Sequence, residues 1–276
     1  MSLNLNKSIN ESITYIESQT PIKPKIGIIL GSGLGQFAEE INNEIKIGAS
    51  QIPNYPQSTV EGHSGILIFG KIDAIPVIAI QGRTHYYEGH TIQNVAFVVR
   101  LLARLGVRLL IVTNAAGGIN SRYKPGDLMI IQDHINLMFN NPLRGAVFNK
   151  ELRWPDMYNA YDEEVSSLIE KVGLQLKIPL KKGVLLASTG PSYETVAEIQ
   201  MARKFGADAI SMSTIPEVIV AKANQMKVVG ISCITNMATG ISDEILSHKE
   251  VIKIALKIHR KFHILLKAVI SNYSGA

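Results

Sequence analysis

The chain has 276 residues, 46% of them hydrophobic and 18% charged, with a formal net charge of +5. That length fits one large α/β domain or two small ones, and the apolar share supports a large core, which excludes a disordered or solvating polymer. The 28 lysines and arginines are scattered rather than gathered in a stripe with interleaved aromatics, which argues against nucleic acid and leaves a modest positive field suited to a small anion.

The N-terminal residues MSLNLNKSINESITY lack an apolar signal region, and no run reaches membrane-spanning length. A cytoplasmic protein with no membrane association is expected, so the N-x-S/T triplets at Asn6, Asn10 and Asn272 carry no glycosylation meaning. After a helical N-terminal segment comes the strand KIGIIL, which breaks into Gly31-Ser32-Gly33-Leu34-Gly35 before a possible helix. This is neither G-x-G-x-x-G, since Gln36 stands at the last position, nor a P-loop, since no Gly-Lys-Ser/Thr follows. It is a glycine turn at a strand end, either a plain tight turn or one whose amides and Ser32 hydroxyl face an oxyanion.

The strands GILIFG and PVIAIQG follow, with His63 in a loop-like context that taken alone reads as structural. PVIAIQG runs into QGRTHYYEGH, where Arg83 and His85 are two apart and share one side of an extended segment. A helix over 91–105 should stop at Gly106. The strand LLIVTNAAGG ends in small residues that let a ligand approach the backbone, and LMIIQDHI leads into a long irregular stretch over 136–162. A helix over 162–176 carries Gly173, read as its stop signal. GVLLAST leads into STGPSYETVAEI, which puts Tyr193 and Glu194 at a strand-to-helix junction, and the helix over 194–205 should stop at Gly206. Glu194 is there either a helix-dipole partner or a ligand group. DAISMST and SMSTIPEV place Ser213 and Thr214 before a helix over 216–225, with Pro216 where a helix start tolerates proline. Taken singly, the two hydroxyls read as ordinary N-caps. KVVGISCIT holds the one cysteine, Cys233, read as a buried thiol, and ends at Asn236, either a turn former or an amide that reads a heterocycle. A last helix runs over 248–270.

Short, rarely alternating apolar runs separated by helices predict an α/β fold with a mostly parallel or mixed sheet and helices on both faces. Ligands in such sheets sit at the carboxyl ends of strands, and four strand ends here carry glycine-rich or polar turns. Arginine, histidine and several hydroxyls meeting there suit phosphate.

In order along nearly the whole chain, GSGLG, GRTHYYEG, TNAAGG, DHINL, NPLRG, GPSYETVAE, MSTIPEV, ITN and SHKEV closely resemble the trimeric purine nucleoside phosphorylases of the nucleoside phosphorylase-I superfamily, in their bacterial-like, 6-oxopurine form. The resemblance implies reversible phosphorolysis of inosine, guanosine and their deoxy forms to free base and α-(deoxy)ribose 1-phosphate, in purine salvage. It implies one α/β domain, residues 1–276, with a mixed central sheet flanked by helices, a homotrimer with sites at the subunit interfaces, orthophosphate as co-substrate, and no cofactor and no metal. Ser32, His63, Arg83, His85, the Ala115 amide and Ser213 are then expected to bind phosphate. Tyr87 and Met212 should contact ribose, His248 the 5′-hydroxyl, and Tyr193 the base or sugar. Glu194 should accept from N1–H of a 6-oxopurine and Asn236 should donate to N7. Trp154 falls where the family places an aromatic, usually phenylalanine, that reaches into a neighbour's site.

The chemistry is consistent with these roles. The glycosidic bond breaks with positive charge on the sugar and negative charge on the departing base, and Asn236 and Glu194 would act where that charge develops. Phosphate needs holding rather than deprotonation, so no covalent nucleophile is assigned, and His85 completes the catalytic set with Asn236 and Glu194. Three positions depart from the family pattern: Met237 after Asn236, Ser211 before Met212, and Trp154. Within the family the alternative is a xanthosine-accepting phosphorylase. Outside it, the alternative is a nucleoside- or phosphate-binding module without turnover. A dinucleotide-dependent oxidoreductase or a serine hydrolase lacks its motif.

Overall fold

The computed structural model describes residues 2–60, 65–242 and 248–275. Its sheet follows from alternation. In β1 (Ile26–Leu30), Ile26, Ile28 and Leu30 join one buried cluster and Ile29 the other. Side chains of period two must divide this way when both faces of a sheet are covered. β5 (Leu109–Gly118) repeats the device, sending Leu109 and Ile111 to one face and Leu110 and Val112 to the other. β9 (Lys227–Met237) sends Val229, Ile231 and Cys233 one way and Val228 and Ile234 the other.

Helices cover both faces. On one, α1 (Ser2–Gln19), α3 (Phe97–Arg104) and α6 (Ile215–Ala223) contribute Ile9, Ile16, Phe97, Leu101, Val218 and Val220. On the other, α4 (Glu163–Gln175) and α7 (His248–Ser271) contribute Val165, Ile169, Phe262 and Leu265, joined by Phe37 from a 3-10 helix at Gly35–Glu40. A smaller cluster seats α5 (Val196–Lys204) through Ile199 and Ala202 against Leu186 and Ile210.

The remaining strands are β2 (Asn42–Gly48), β3 (Ile66–Ile72), β4 (Ile75–Gln81), β6 (Leu128–Asn136), β7 (Leu180–Ala187) and β8 (Ala209–Ser211). The order is β2-β3-β4-β1-β5-β8-β7-β6-β9, and β9 also pairs with β5. The last five strands therefore close into a ring. β4, β1, β5 and β9 are mutually parallel, while β6, β7 and β8 run parallel to one another and antiparallel to β9 and β5. The mixed sheet flanked by helices is the architecture expected from the sequence.

Three local expectations need correction, and one strand was not foreseen. β2 was not legible as a strand: NNEIKIG has no apolar run, its first three residues are exposed, and its register with β3 slips between Asn42 and Ile45. The expected helix over 91–105 is two helices, α2 (Ile92–Val95) and α3, which meet at the non-helical Ala96. The segment after the glycine loop winds as 3-10 rather than α-helix. Gly173 lies inside α4, because the apolar stripe of Val165, Ile169 and Val172 keeps that helix on the sheet to Gln175. Gly106 and Gly206 do follow their helices, at φ +95° and +89°. The irregular stretch after β6 is held by a buried ion pair: Arg100 Nε donates to Glu151 Oε1 at 2.8 Å, and its Nη2 donates to Glu151 Oε2 and to the Pro142 carbonyl. No described helix is long and apolar enough to cross a membrane.

Candidate active site

β1, β4, β5 and β9 end around one cavity of about 110 Å³. β7 and β8 have the opposite polarity, yet residues following them reach the same cavity because the sheet closes on itself.

The glycine loop leaves β1 against the backbone of β5. A Cβ on Gly31 would lie 2.8 Å from the Thr113 carbonyl oxygen, and one on Gly33, at φ +74°, would lie 2.4 Å from Ala255 Cβ. Only glycine allows both approaches. The Gly31 amide donates to Thr113 Oγ1 at 3.0 Å, and that hydroxyl donates to the Ile29 carbonyl, which ties the loop to β5 and presents Ser32 to the cavity.

Arg83 follows β4 with only 2% of its side chain exposed. Its Nη1 donates to Glu217 Oε1 at 3.1 Å and to Thr214 Oγ1 at 3.2 Å, and its Nη2 donates to the Thr113 carbonyl. Burial lowers the Arg83 pKa and Glu217 works against that shift. A buried charge of this kind is tolerable because it is paired and hydrogen-bonded.

Two residues on, the His85 ring stacks on Tyr87 with centroids 4.8 Å apart. Glu88 Oε1 accepts from the His85 amide at 2.6 Å and lies 3.1 Å from His85 Nδ1. Glu88 Oε2 accepts from the hydroxyls of Ser58 and Thr59 and from the Thr59 amide. Burial would raise Glu88, but the bonds from His85 and Thr59 outweigh it and hold the carboxyl well below the usual range. Burial also lowers His85, against the pull of Glu88, so the ring is neutral at neutral pH. With Glu88 ionised, Nδ1 carries the proton and Nε2 the lone pair.

Glu194 is not a helix-dipole partner. Thr195 caps α5 with Glu198 in a reciprocal box, and Glu194 precedes that cap and accepts from Ser188 Oγ at 2.7 Å. Asn236 is not a turn former either. It lies within β9, its Oδ1 accepts from Thr235 Oγ1 at 2.9 Å, and its Nδ2 donates to the Met237 carbonyl.

Thr214 occupies the N-cap position of α6 but makes no side-chain cap bond. Its backbone sits at φ +79°, ψ −50°, and its buried hydroxyl faces Arg83 and Asn114. Such a conformation costs of order 1–3 kcal/mol for a β-branched residue.

The cavity thus brings together Ser32, Arg83, His85, Tyr87, Ala115, Tyr193, Glu194, Met212, Ser213 and Asn236. His63 lies outside the described residues. His248 opens α7 and its side chain is not described, although Val251, one turn on, lines the cavity. Trp154 is 87% exposed and lines a separate surface depression with Arg144 and Arg153. Sequence reasoning missed Glu88, Asn114, Ser188 and Glu217. A glutamate three residues after His85 was the one available signal, since that spacing closes a turn. Cys233 is fully buried in β9 and its thiol is pushed up to about 12, which makes it inert.

A family model described as the phosphorylase superfamily matches residues 25–271. The chain is 52% identical over 268 residues to purine nucleoside phosphorylase 1 of Bacillus subtilis, spanning 96% of this chain and 98% of that one. It is 49% identical to the Geobacillus stearothermophilus protein of the same name, over 96% and 97% of the two chains. The crystal structure of Schistosoma mansoni purine nucleoside phosphorylase in complex with inosine superposes with a TM-score of 0.93 at 36% identity, covering 98% of each chain.

Proposed function

The chain belongs to the phosphorylase superfamily, and from that premise we propose that residues 1–276 form one enzyme domain that splits purine nucleosides with orthophosphate into free base and α-(deoxy)ribose 1-phosphate, reversibly. The observation that carries this is the single cavity in which an oxyanion cradle and a purine-reading pair lie together: Arg83, Ser32 and Ser213 with Glu194 and Asn236.

The mechanism we assign follows from the residue chemistry. Ser32, Arg83, His85, Ser213, the Ala115 amide and His63 hold phosphate below the sugar. Neutral His85 offers Nε2 as an acceptor for the phosphate hydroxyl, so ligand oxygens that carry no proton turn to Arg83 and the hydroxyls. Tyr87 and Met212 pack the ribose, His248 takes the 5′-hydroxyl, and Tyr193 covers the base or sugar. As the C–N bond breaks, Asn236 donates to N7 and Glu194 accepts from N1–H, both aimed at the base where negative charge accumulates. The bound phosphate attacks the cationic sugar carbon, and the base leaves with the bond's electron pair. No cofactor takes part, and orthophosphate is the co-substrate. The preferred bases are 6-oxopurines. A homotrimer with Trp154 completing a neighbour's site, and a cytoplasmic location, complete the assignment.

The test is a panel of inosine, guanosine, xanthosine and adenosine, each with and without phosphate. Phosphate-dependent release of hypoxanthine with stoichiometric ribose 1-phosphate is expected. Equal release without phosphate would make the protein a hydrolase, and binding with no product in either direction would make it a binding module.

A further inference from the structure

Thr214 combines an uncommon backbone with an uncommon set of contacts. At φ +79° it occupies a region that β-branched residues rarely enter, and no cap bond compensates. Its side chain is fully buried and its Oγ1 meets three polar atoms: Arg83 Nη1 at 3.2 Å, Asn114 Nδ2 at 2.9 Å and Ser213 Oγ at 3.3 Å.

A hydroxyl has two lone pairs and one proton. Arg83 Nη1 and Asn114 Nδ2 can only donate, so they fill both lone pairs. The Thr214 proton is left for Ser213 Oγ. Ser213, accepting there, keeps its own proton, which can go to Ser211 Oγ at 3.3 Å or to an anion in the cavity, and a charged acceptor outcompetes the neutral hydroxyl. The chain of bonds thus has one direction, from Arg83 and Asn114 through Thr214 to Ser213, and it leaves Ser213 a donor, the polarity an anion requires.

We propose that Thr214 is a positioning residue for the oxyanion: its hydroxyl holds the Arg83 guanidinium at the cavity and orients Ser213 to donate. The proposal rests on the reading that this part of the cavity takes phosphate. Arg83 also has a competing acceptor on the same carboxylate, because Glu217 Oε2 is buried without a partner among the described residues while Oε1 already accepts from Nη1. Without the Thr214 hydroxyl, the guanidinium closes onto both carboxylate oxygens in the bidentate geometry that arginine favours. That movement draws its charge away from the ligand.

The experiment compares T214V, T214S and T214G by initial rates, with phosphate varied at saturating inosine and inosine varied at saturating phosphate. T214V keeps the shape and removes the hydroxyl, so phosphate KM should rise about tenfold while inosine KM stays within about twofold. T214S restores the hydroxyl and should return phosphate KM to within about twofold of the parent. T214G suits the positive φ, so backbone strain does not threaten its folding, and it should share the phosphate defect of T214V. Parental phosphate KM in T214V or T214G would overturn the proposal. So would equal rises in both KM values, or a serine variant as impaired as the valine one. A parent enzyme whose turnover needs no phosphate would instead remove the functional reading beneath the proposal.

Discussion

Asn236 shows how much a single side chain depends on its neighbours. Thr235 fixes the amide by donating to Oδ1, so Nδ2 is the end that can meet a base nitrogen. Changing Asn236 to Ala should lower kcat about a hundredfold with little change in the KM for phosphate, because the lost bond belongs to the departing base; steady-state kinetics on inosine would check this. Glu88 yields a pH prediction. Its folded-state pKa lies below the ordinary carboxylate value, so its ionised form stabilises the fold fully above about pH 4.3, and that contribution is lost as pH falls toward the lowered value. Urea unfolding of E88Q and parent should therefore show a stability gap that is widest near neutrality and narrows as pH drops from about 5 toward 3. The cavity residues Arg83, His85, Glu194 and Asn236 were legible because each sits in an unusual polar cluster that closes or follows an apolar run. Thr214, Glu217 and Ser188 were not. In one dimension Thr214 reads as a cap and nothing local marks Glu217, because their partners Arg83 and Asn114 lie at least 100 residues away; Ser188 meets Glu194 six residues on, across an irregular segment with no periodic signal.

At the scale of elements, the sequence reveals what a uniform apolar period can reveal. β1, β5 and β9 are buried on both faces, so their runs stand out. β2 is wet and irregular, and nothing local marks it. The stretch between β6 and α4 reads correctly as non-repetitive, but its anchor does not, because Arg100 belongs to α3 and Glu151 lies 51 residues on. That pair also explains how so long a loop stays ordered. Glu151 accepts from Asn224 as well as from Arg100, and the Arg100 guanidinium lies 4.7 Å above the Phe148 ring. Replacing Arg100 by Met would strand a buried carboxylate, and a loss of roughly 3–5 kcal/mol is expected in chemical denaturation. A loss below about 1 kcal/mol would mean that the loop is held by its apolar contacts instead.

For the molecule as a whole, the same loop displays Phe139, Trp154 and Tyr158, each at least 87% exposed. Exposed aromatics on one segment are characteristic of association surfaces. Sedimentation equilibrium is expected to give three times the mass of 30.2 kDa, and a W154A change should weaken turnover more than it weakens folding. A monomer at micromolar concentration with full activity would contradict that assembly. The closed ring of β5, β8, β7, β6 and β9 has a separate consequence. A sheet normally ends in two unpaired strands, each a template onto which a misfolded chain can grow. Here one margin of the sheet has been folded back onto β5, and among the described residues the margin that remains is β2, bearing Asn42, Asn43, Glu44 and Lys46 and a slipped register. Amyloid-like accretion is left with a single, strongly hydrated doorway, so crowded solutions of the native protein should resist seeding into fibres.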